Sequence, residues 1–450
     1  MTAGMELPRT ALVIGFRRTG QSVARALAAR GVAVRAADAR DAATIGVEPA
    51  AWPGVALTLG AEPLALLDGV DLVVPSPGVP RRAPLLSEAV RRGIAVWSEI
   101  ELAFRLLAVP LVGITGTNGK STTTTLVGRA LAAGGRRTFT GGNLGTPLVD
   151  ALDDPPEIAV VEVSTFQLEW TERFRPRVGV LLNVTPDHLD RHASFAEYRD
   201  LKAKLFAAQE RDDVAVLNRD DAVVRAIGAG LTARVVWFGT APAPAGAGAF
   251  AGDGEVVLHL PGAAEERYTL ARTRLAGRHN LENVTAAVAA ARLAGAPPAA
   301  VQEAIDGVEP LAHRLALVAE RDGVRWFDDS KATNVGAAVK SLESFDGPVL
   351  LLAGGVDKGG DYAPLVDAAR GRVRRALVFG EARECIARAL TGGGVTSAIV
   401  PTLADAVAAA AAEARPGDVV LLAPACSSFD QFTDYAARGR AFRAAVEALQ

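Results

Sequence analysis

The stretch LVGITGTNGKSTTTTLVGRALAA, residues 111–133, constrains the fold of this chain more than any other segment. LVGIT is an apolar run of strand length, TGTNGK is a glycine-containing turn, and the residues after it have a helical pattern. A turn of this kind before a helix directs backbone N–H groups at whatever lies in it. The usual phosphate loop has a glycine five positions before its Gly-Lys pair, where this chain has Ile114. The sequence therefore predicts a shortened phosphate-binding loop, Gly116 to Ser121, on an α/β sheet.

The residue types of this loop favour ATP as its ligand. Glycines let the chain wrap closely around an anion, Lys120 brings a positive charge to the outer phosphates, and the Ser121 hydroxyl suits a magnesium ion. The structural alternative is a glycine-rich turn with a chance lysine, although strand, loop, Lys-Ser pair and helix occur in the required order. The residues assigned to ATP here are Thr115, Gly116, Thr117, Asn118, Gly119, Lys120, Ser121 and Thr122.

Alternating apolar strands and helical stretches predict an α/β protein of three domains, each with a mainly parallel sheet flanked by helices. Strands are predicted at ALVIGF, GVAVRAAD and DLVVPSPGV in the first block, at LVGIT, IAVVEVS, VGVLLNV and DVAVLN in the second, and at GPVLLLAGG, ALVFG and DVVLLAPA in the third. We predict a Rossmann-like domain over residues 1–107, a P-loop ATPase domain over 108–310 and a second Rossmann-like domain over 311–450. Residues 17–20 are predicted to form a turn, and residues 241–255 a surface loop.

Length, charge and cysteine content exclude several classes of function. The 450 residues are enough for two or three cores, and a net charge of −3 gives no general attraction to nucleic acid or anionic membranes. No apolar run approaches the roughly 18 residues of a membrane helix, and the first residues lack a signal-peptide pattern. We expect a cytoplasmic monomer with no nucleic-acid or membrane partner. Cys385 and Cys426 are too few for a disulfide framework or zinc site, and both are predicted to be buried.

Two polar side chains after the loop, Glu162 and His188, are candidates for metal chemistry. Glu162 ends the apolar strand of VVEVSTFQLE, where a carboxylate can hold a metal against phosphates, and a capping or surface role is its alternative. His188, in NVTPDHLDRH, also follows a strand and is a candidate second-metal ligand, although a lone histidine is more often structural. Lys202, in YRDLKAKLF, has by itself the pattern of a solvated helix lysine.

Ten motifs stand in the order found in the Mur ligases, and the chain resembles that family from about Val13 to Phe442. DDSKATN and PACSSFDQF discriminate within the family, because ligases that add other residues to the same peptide carry different segments there. The ten motifs are TGTNGKST, GGNLGTPL, EVSTFQLE, NVTPDHLDRH, YRDLKAKLF, GRHNLEN, HRLALV, DDSKATN, GGVDKGGDY and PACSSFDQF.

The resemblance implies an ATP-dependent ligase that adds D-glutamate to UDP-N-acetylmuramoyl-L-alanine in peptidoglycan precursor synthesis. ATP would phosphorylate the alanyl carboxylate, and the glutamate amine would attack the acyl phosphate to form an amide. By the family's fold, the N-terminal domain would hold the UDP-sugar, and the C-terminal domain would close over ATP and the amino acid. The residues alone leave D- and L-glutamate open, because the same lysines attract either enantiomer.

The resemblance also implies catalytic roles for Lys120, His188 and Lys202, with two magnesium ions as cofactors. The implied metal ligands are Ser121, Glu162, His188 and Lys202, the last as a carbamate formed with carbon dioxide. Carbamate formation needs a neutral amine and turns a cation into an anion. Lys204 is the weaker choice, since Lys202 keeps the family's spacing to the Leu-Phe pair that follows.

Further positions match family residues that contact ATP or the other substrates, and for each of them packing or capping is the alternative. The implied ATP contacts are Asn280, Asn283, Arg314 and Asp329. The implied contacts of the UDP-substrate are Thr19, Asp38, Arg40, Asn143 and Ser164. The implied contacts of the amino acid are Lys331, Thr333, Lys358, Ser428 and Phe429, where lysine charges suit a dicarboxylate.

One departure from a known pattern concerns the first domain. Gly15, Arg17 and Gly20 have the spacing of a dinucleotide fingerprint, but Arg17 stands where glycine lets the backbone approach a pyrophosphate. This argues against a nicotinamide-dependent oxidoreductase, and the set of polar residues at positions 120, 162, 188 and 202 argues against a regulatory scaffold. We hypothesise that Arg17 and Arg18 bind the substrate diphosphate. The alternative is that both point into solvent.

Overall fold

The computed structural model describes residues 7–143, 145–189, 191–240, 247–275, 277–309 and 312–449. Its contacts divide the chain into two compact units. The first unit consists of Met1–Val184, Arg199–Arg272 and Glu282–Gly307, and the second of Thr185–Tyr198, Thr273–Leu281 and Val308–Gln450. Three mainly parallel sheets with helices between their strands confirm the predicted fold class. The boundaries 1–107, 108–310 and 311–450 stay a prediction from the sequence.

The first sheet has five parallel strands in the order β3-β2-β1-β4-β5. Its strands are β1 (Thr10–Ile14), β2 (Ala33–Asp38), β3 (Val55–Leu59), β4 (Leu72–Pro75) and β5 (Ala95–Val96). The accompanying helices are α1 (Arg18–Ala28), α2 (Ala42–Ile45), α3 (Pro84–Arg91) and α4 (Glu99–Leu106). The predicted turn over residues 17–20 is wrong after its first residue, because α1 begins at Arg18. A Cβ on Gly20 would lie 2.0 Å from the Gly15 carbonyl oxygen, so glycine here permits tight packing of helix on strand.

The second sheet has nine strands in the order β14-β13-β12-β11-β10-β9-β6-β8-β7. Its strands are β6 (Leu111–Thr115), β7 (Thr138–Gly142), β8 (Ile158–Glu162), β9 (Val178–Leu181), β10 (Val214–Asn218), β11 (Arg234–Gly239), β12 (Gly248–Gly252), β13 (Glu255–His259) and β14 (Glu266–Thr269). The helices are α5 (Lys120–Ala133), α6 (Thr165–Leu168), α7 (Phe195–Ala203), α8 (Ala222–Gly228), α9 (Arg278–Leu293) and α10 (Pro298–Gly307).

The prediction of a surface loop over residues 241–255 is wrong for residues 248–252 and for Glu255, which begins β13. Residues 248–252 form the mostly buried strand β12, which pairs with β11 in parallel and with β13 in antiparallel orientation. The glycine and alanine content hid this strand, because small residues carry little strand propensity by themselves. Residues 241–246 of the predicted loop lie outside the described residues.

The third sheet has the order β15-β16-β20-β17-β18-β19 and is parallel except for the β15–β16 pair. Its strands are β15 (Ala316–Arg321), β16 (Val324–Asp328), β17 (Val349–Gly354), β18 (Val373–Phe379), β19 (Ser397–Ile399) and β20 (Val419–Leu422). The helices are α11 (Val335–Leu342), α12 (Ala363–Ala369), α13 (Arg383–Gly392), α14 (Leu403–Glu413) and α15 (Tyr435–Glu447). Two apolar clusters pack against this sheet and bury its central strands. The burial prediction is confirmed for Cys426 but wrong for Cys385, which is exposed on α13.

Helix length in the described chain falls short of a membrane span. The longest described helix, α9, has 16 residues, whereas a span needs about 20. No described helix combines the necessary length and apolarity.

Candidate active site

The phosphate loop follows β6 and leads directly into α5, as predicted. Gly119 is the N-cap of α5 and has a φ of 86°, a left-handed conformation that favours glycine. A Cβ at this position would lie 2.0 Å from Oδ1 of Asn283. Any other residue would therefore displace Asn283. The short distance shows that Asn283, a predicted ATP contact, lies against the loop. Asn280, on the same helix, is also buried.

Asn183, which the sequence analysis did not single out, fixes the shape of the loop. Its backbone oxygen accepts a hydrogen bond from the Thr117 amide at 2.9 Å, and its Oδ1 accepts one from the Asn118 amide at 2.8 Å. Its Nδ2 donates to the Asn118 carbonyl oxygen at 3.2 Å. The Asn183 side chain thus accepts a hydrogen bond from one backbone N–H of the loop and donates one to a backbone carbonyl oxygen of the loop. A polar residue just after an apolar strand was the only signal for it in the sequence.

The Lys120 ammonium is held over the loop. Its Nζ donates to the carbonyl oxygens of Gly116 and Thr117, both at 2.9 Å. Ser121 and Thr122 follow in the first turn of α5 and are buried. The charge of Lys120 and the N-terminus of α5 therefore act on the same small space, which suits an anionic ligand.

Glu162 has the features of a metal-binding carboxylate. It pairs with Ile114 in the strand register, which places it beside the end of β6, and only 3% of its surface is exposed. Asn143 donates from Nδ2 to Oε1 of Glu162 at 2.6 Å. Among the described residues, Oε2 of Glu162 is buried without a hydrogen-bond partner. An unpaired buried carboxylate oxygen is costly, and a cation would offset that cost.

The described residues contain no preformed cluster of three or more His, Cys, Asp and Glu side chains that could hold a metal. Magnesium sites beside phosphates typically use one or two protein carboxylates, with phosphate oxygens and water as the other ligands. The surroundings of Glu162 therefore fit a magnesium ion shared with a nucleotide.

Two lysines near the end of α7 differ in their surroundings. Lys202 is 2% exposed and ranks among the largest fully buried side chains of the described chain. Lys204 donates from Nζ to the carbonyl oxygens of Leu168 and Glu169, each at 3.0 Å. Burial lowers the pKa of Lys204. Lys204 thus has a structural role at the end of α6, whereas the Lys202 side chain is enclosed within the first unit.

Asp38 and Arg40, at the carboxyl end of β2, form one ion pair. Arg40 donates from Nε and Nη2 to the two carboxylate oxygens of Asp38 at 2.9 Å each, and the Phe16 amide also donates to Oδ2 at 2.9 Å. Burial opposes ionisation of Asp38, but these hydrogen bonds prevail and lower its pKa to about 2. The Asp38 carboxylate thus fixes the turn that leads into α1.

Arg17 and Arg18, at the start of α1, are both exposed. Arg17 is the N-cap of α1 without a side-chain capping bond, and Arg18 lies in the first turn together with Thr19. Nη2 of Arg18 donates to Oγ1 of Thr146 at 3.5 Å. Thr146 follows Asn143 closely in the chain. One arginine therefore approaches the segment that carries a predicted substrate contact of the second sheet.

Ser164 has the capping role that was its structural alternative. Its Oγ accepts a hydrogen bond from the Gln167 amide, and the Gln167 side chain accepts one from the Ser164 amide. This capping box starts α6. A contact between Ser164 and a substrate stays a prediction.

In the second unit, Arg314 and Asp329 are close enough to influence each other. Ser341 donates from Oγ to Oδ2 of Asp329. Burial raises the pKa of Asp329 to about 6, although the Ser341 hydrogen bond and the Arg314 charge act in the opposite direction. Nε of Arg314 is buried without a hydrogen-bond partner among the described residues.

The predicted amino-acid contacts lie on loops after three strands of the third sheet. Lys331 and Thr333 follow β16, Lys358 follows β17, and Ser428 and Phe429 follow β20. Carboxyl ends of parallel strands share one edge of a sheet, which is the usual ligand-binding edge of such folds. Phe429 is 74% exposed, whereas Ser428 is buried.

A second residue that the sequence analysis did not single out, Arg438 on α15, holds these loops together. Its guanidinium donates to the carbonyl oxygens of Ser330, Gly354, Cys426 and Ser427 at 2.9 to 3.3 Å. Burial lowers the pKa of Arg438 to about 10. Arg438 therefore supplies hydrogen bonds to backbone carbonyl oxygens at the edge where the chain leaves the sheet.

His188 lies in the second unit beside Asp187. Its φ is 54°, unusual for a residue other than glycine, and its side chain is 32% exposed. Nε2 of His188 lies 3.7 Å from Oδ2 of Asp187, and the His188 amide donates to Oδ1 at 2.9 Å. Asp187 also contacts Asn334 and Lys358. Backbone strain at this position is typical of functional sites.

The predicted site residues thus fall into groups within each unit. In the first unit, the loop residues, Glu162, Asn143 and Asn283 come together, and Asp38 with Arg40 forms a separate pair. In the second unit, Arg314 groups with Asp329, and His188 and Lys358 group with Asp187.

A glycine loop between a parallel strand and a helix that begins Lys-Ser defines a phosphate-binding α/β protein of the P-loop class.

The chain belongs to the Mur ligase family. Three family models match it: the Mur ligase MurD-like N-terminal domain over residues 9–98, the Mur ligase middle domain over 114–291, and the Mur ligase glutamate ligase domain over 313–426. These matches confirm the resemblance inferred from the motifs.

Curated relatives match the chain along almost its whole length. A UDP-N-acetylmuramoylalanine--D-glutamate ligase of Geobacter metallireducens is 48% identical over 442 residues, or 97% of each chain. The ligase of the same name from Anaeromyxobacter dehalogenans is also 48% identical, over 96% of each chain. Among solved structures, the UDP-N-acetylmuramate-alanine ligase of Thermotoga maritima superposes with a TM-score of 0.60 at 17% identity, over 98% of this chain and all of the other. A pseudomurein peptide ligase type C of Methanothermus fervidus gives 0.64 at 19% identity, with the same coverage. These two structures share the fold.

The raised pKa of Asp329 predicts a pH-dependent stability. The folded state holds the Asp329 proton more tightly than the unfolded chain, so the resulting stabilisation is present below about pH 4 and is lost as the pH rises through about 6. A rise in the pKa of Asp329 from 3.8 to about 6 corresponds to about 3 kcal/mol at most. Urea unfolding across this range should show the wild type losing stability relative to Asp329→Asn as the pH rises, because asparagine does not titrate. Parallel curves would contradict a raised pKa at Asp329.

Proposed function

We propose that this chain is an ATP-dependent ligase that joins D-glutamate to UDP-N-acetylmuramoyl-L-alanine in peptidoglycan precursor synthesis. The observation that carries the proposal is 48% identity over 97% of the chain with a relative that bears this activity in its name. The phosphate loop and the buried Glu162 beside it supply the nucleotide chemistry that such a reaction needs. The cytoplasmic location and the monomeric state stay predictions from the sequence.

The reaction proceeds in two transfers, and neither needs a nucleophile from the protein. The alanyl carboxylate attacks the γ-phosphorus of ATP, which gives an acyl phosphate and ADP. The glutamate amine then attacks the acyl carbon, phosphate leaves, and the amine loses a proton as the amide forms. The protein contributes by positioning the reactants and by stabilising negative charge on the transferred group. Backbone amides at the start of α5 and the Lys120 ammonium provide that stabilisation.

Two magnesium ions are part of this proposal. The residues that would hold them are Ser121, Glu162, His188 and Lys202, the last as a carbamate. Bound magnesium neutralises phosphate charge and polarises the acyl oxygen. For Ser121 and Glu162 the proposal is supported by their positions at the phosphate loop. For His188 and Lys202 it is supported by the family resemblance, together with the strained backbone of His188 and the burial of Lys202.

The remaining residues are proposed to bind the substrates. We assign Asn280, Asn283, Arg314 and Asp329 to ATP, and Thr19, Asp38, Arg40, Asn143 and Ser164 to the UDP-substrate. We assign Lys331, Thr333, Lys358, Ser428 and Phe429 to the amino acid. The two lysines carry the charge that a dicarboxylate needs.

ADP release tests the proposed function. With ATP, magnesium and UDP-N-acetylmuramoyl-L-alanine present, D-glutamate should support continuous ADP release over many turnovers and L-glutamate should not. Lys120→Ala should abolish most of this turnover, because the lysine neutralises charge on the transferring phosphoryl group. Circular dichroism of the variant should match that of the wild type.

Three outcomes would contradict parts of this proposal. ATP binding without glutamate-dependent ADP release would favour a regulatory scaffold. Equal rates with both enantiomers would remove the stereochemical assignment. Near-normal ADP release by Lys120→Ala would remove the role of the phosphate loop.

Lys202 is expected to act as its carbamate. Lys202→Ala should be inactive, and small carboxylates such as acetate should restore part of the activity by occupying the vacated space as anions. Lys204→Ala is the matched control, because Lys204 lies two residues away and bonds to the end of α6. Carboxylates should give no recovery in that variant. A fully active Lys202→Ala enzyme would overturn the carbamate assignment.

Arg17 and Arg18 are proposed to bind the diphosphate of the UDP-substrate. Their exposure at the start of α1 and the approach of Arg18 to Thr146 support this assignment. Changing both to Ala should raise the KM for the UDP-substrate about tenfold or more, since each charge-assisted hydrogen bond contributes about 1.5 to 3 kcal/mol. The KM values for ATP and glutamate should hardly change.

Arg9→Ala is the control for this double variant. Arg9 is exposed and immediately precedes β1, at the opposite edge of the first sheet. An unchanged KM for the UDP-substrate in the double variant would leave both arginines as surface residues. Equal weakening toward all three substrates would indicate damaged folding instead.

A further inference from the structure

Asp187 is a buried carboxylate that joins two loops of the second unit. Its Oδ2 accepts a hydrogen bond from Nδ2 of Asn334 at 2.8 Å, and its Oδ1 lies 3.4 Å from Nζ of Lys358. The side chain of Asp187 is 6% exposed and that of Lys358 is 15% exposed. The interaction is therefore largely protected from solvent screening, unlike a surface ion pair.

Two of the groups that contact Asp187, Asn334 and Lys358, lie at the same edge of the third sheet. Asn334 follows β16 and caps α11 by accepting a hydrogen bond from the Ala337 amide at 2.8 Å. Lys358 follows β17, which is parallel to β16 with β20 between them. Asp187 comes from a third, distant segment, the TPDHLD stretch. One carboxylate thus fixes two loops that the sheet itself does not connect at this point.

We propose that Asp187 is a positioning residue, which holds the Lys358 ammonium ready for a carboxylate of the incoming amino acid. This inference rests on the proposed function, in which Lys358 binds glutamate. A lysine ammonium has three N–H donors, so one bond to Asp187 leaves two for a substrate. A free lysine side chain samples many rotamers, and ordering it before the substrate arrives lowers the entropy cost of binding.

A carboxylate suits this position better than an amide does. Asn334 presents an amide nitrogen to Asp187 and Lys358 presents an ammonium, so both are donors. The His188 amide donates as well, and a carboxylate accepts on both oxygens. An asparagine would turn its own NH2 group toward one of these donors. It would also remove the charge that attracts Lys358. Asp187→Asn therefore releases Lys358 with almost no change in side-chain volume.

Steady-state kinetics with each substrate varied in turn test the proposal. Asp187→Asn should raise the KM for D-glutamate tenfold or more, while the KM values for ATP and UDP-N-acetylmuramoyl-L-alanine change less than about twofold. Asp187→Ser, which has one acceptor in a smaller side chain, should show the same selective effect and replaces the first variant if that does not fold. Asp357→Asn is the matched control, because it removes the same charge from the residue next to Lys358. The Asp357 carboxylate instead accepts bonds from the Gly359 amide and the Tyr362 hydroxyl.

A double-mutant cycle with Lys358→Met distinguishes positioning from general damage. If Asp187 acts through Lys358, Asp187→Asn should add less than about twofold to the glutamate KM once Lys358 is methionine. Additive effects, an unchanged glutamate KM in Asp187→Asn, or an equal rise in all three KM values would overturn the inference while the proposed function stands. A wild-type protein without glutamate-dependent ADP release would overturn both.

Discussion

At the carboxyl edge of each parallel sheet, the backbone leaves the strand ladder, and its polar groups need new partners. In this chain one buried side chain at each edge supplies some of them. Asp38 accepts from the Phe16 amide at the first sheet, Asn183 bonds to the phosphate loop at the second, and Arg438 donates to four carbonyl oxygens at the third. Unpaired buried backbone groups are costly. The loops that carry the candidate site residues therefore depend on these three side chains for their shape.

Two buried glutamates, Glu101 and Glu162, differ in how far their carboxylate oxygens are hydrogen-bonded. Glu101 on α4 accepts from the amides of residues 172–174 and from Nε of Arg105, and it is fully buried. Glu162 is almost equally buried, but one of its oxygens has no partner among the described residues. Glu101 has the environment of a structural residue that ties α4 to the segment before β9. Glu162 has the environment of a residue that pairs with a cation, because nothing else described around it completes its coordination.

The sequence predicted the elements whose signals are local. The apolar strands and the strand–loop–helix unit at Lys120 were predicted because apolar runs, glycines and a helix start lie within a few residues of each other. The strand β12 and the antiparallel pair β15–β16 were missed, since their stability comes from strands paired beside them rather than from their own residues. Asn183, Asp187 and Arg438 were missed for a related reason. Their partners are distant in the sequence, and only the folded chain brings them together.

Four lysines of the chain show why residue type and spacing are not enough to assign a role. Lys120 and Lys204 each donate to two backbone carbonyl oxygens. The oxygens that accept from Lys120 belong to the phosphate loop, and those that accept from Lys204 lie at the end of a helix. Lys358 faces a carboxylate, and Lys202 is buried in the first unit. A lysine held at a phosphate loop can direct its positive charge at a phosphate. A lysine paired with a carboxylate has its ammonium held in one position. A fully buried lysine loses part of the solvation that favours its cationic form. The chemistry available to each lysine therefore follows from its surroundings in the fold.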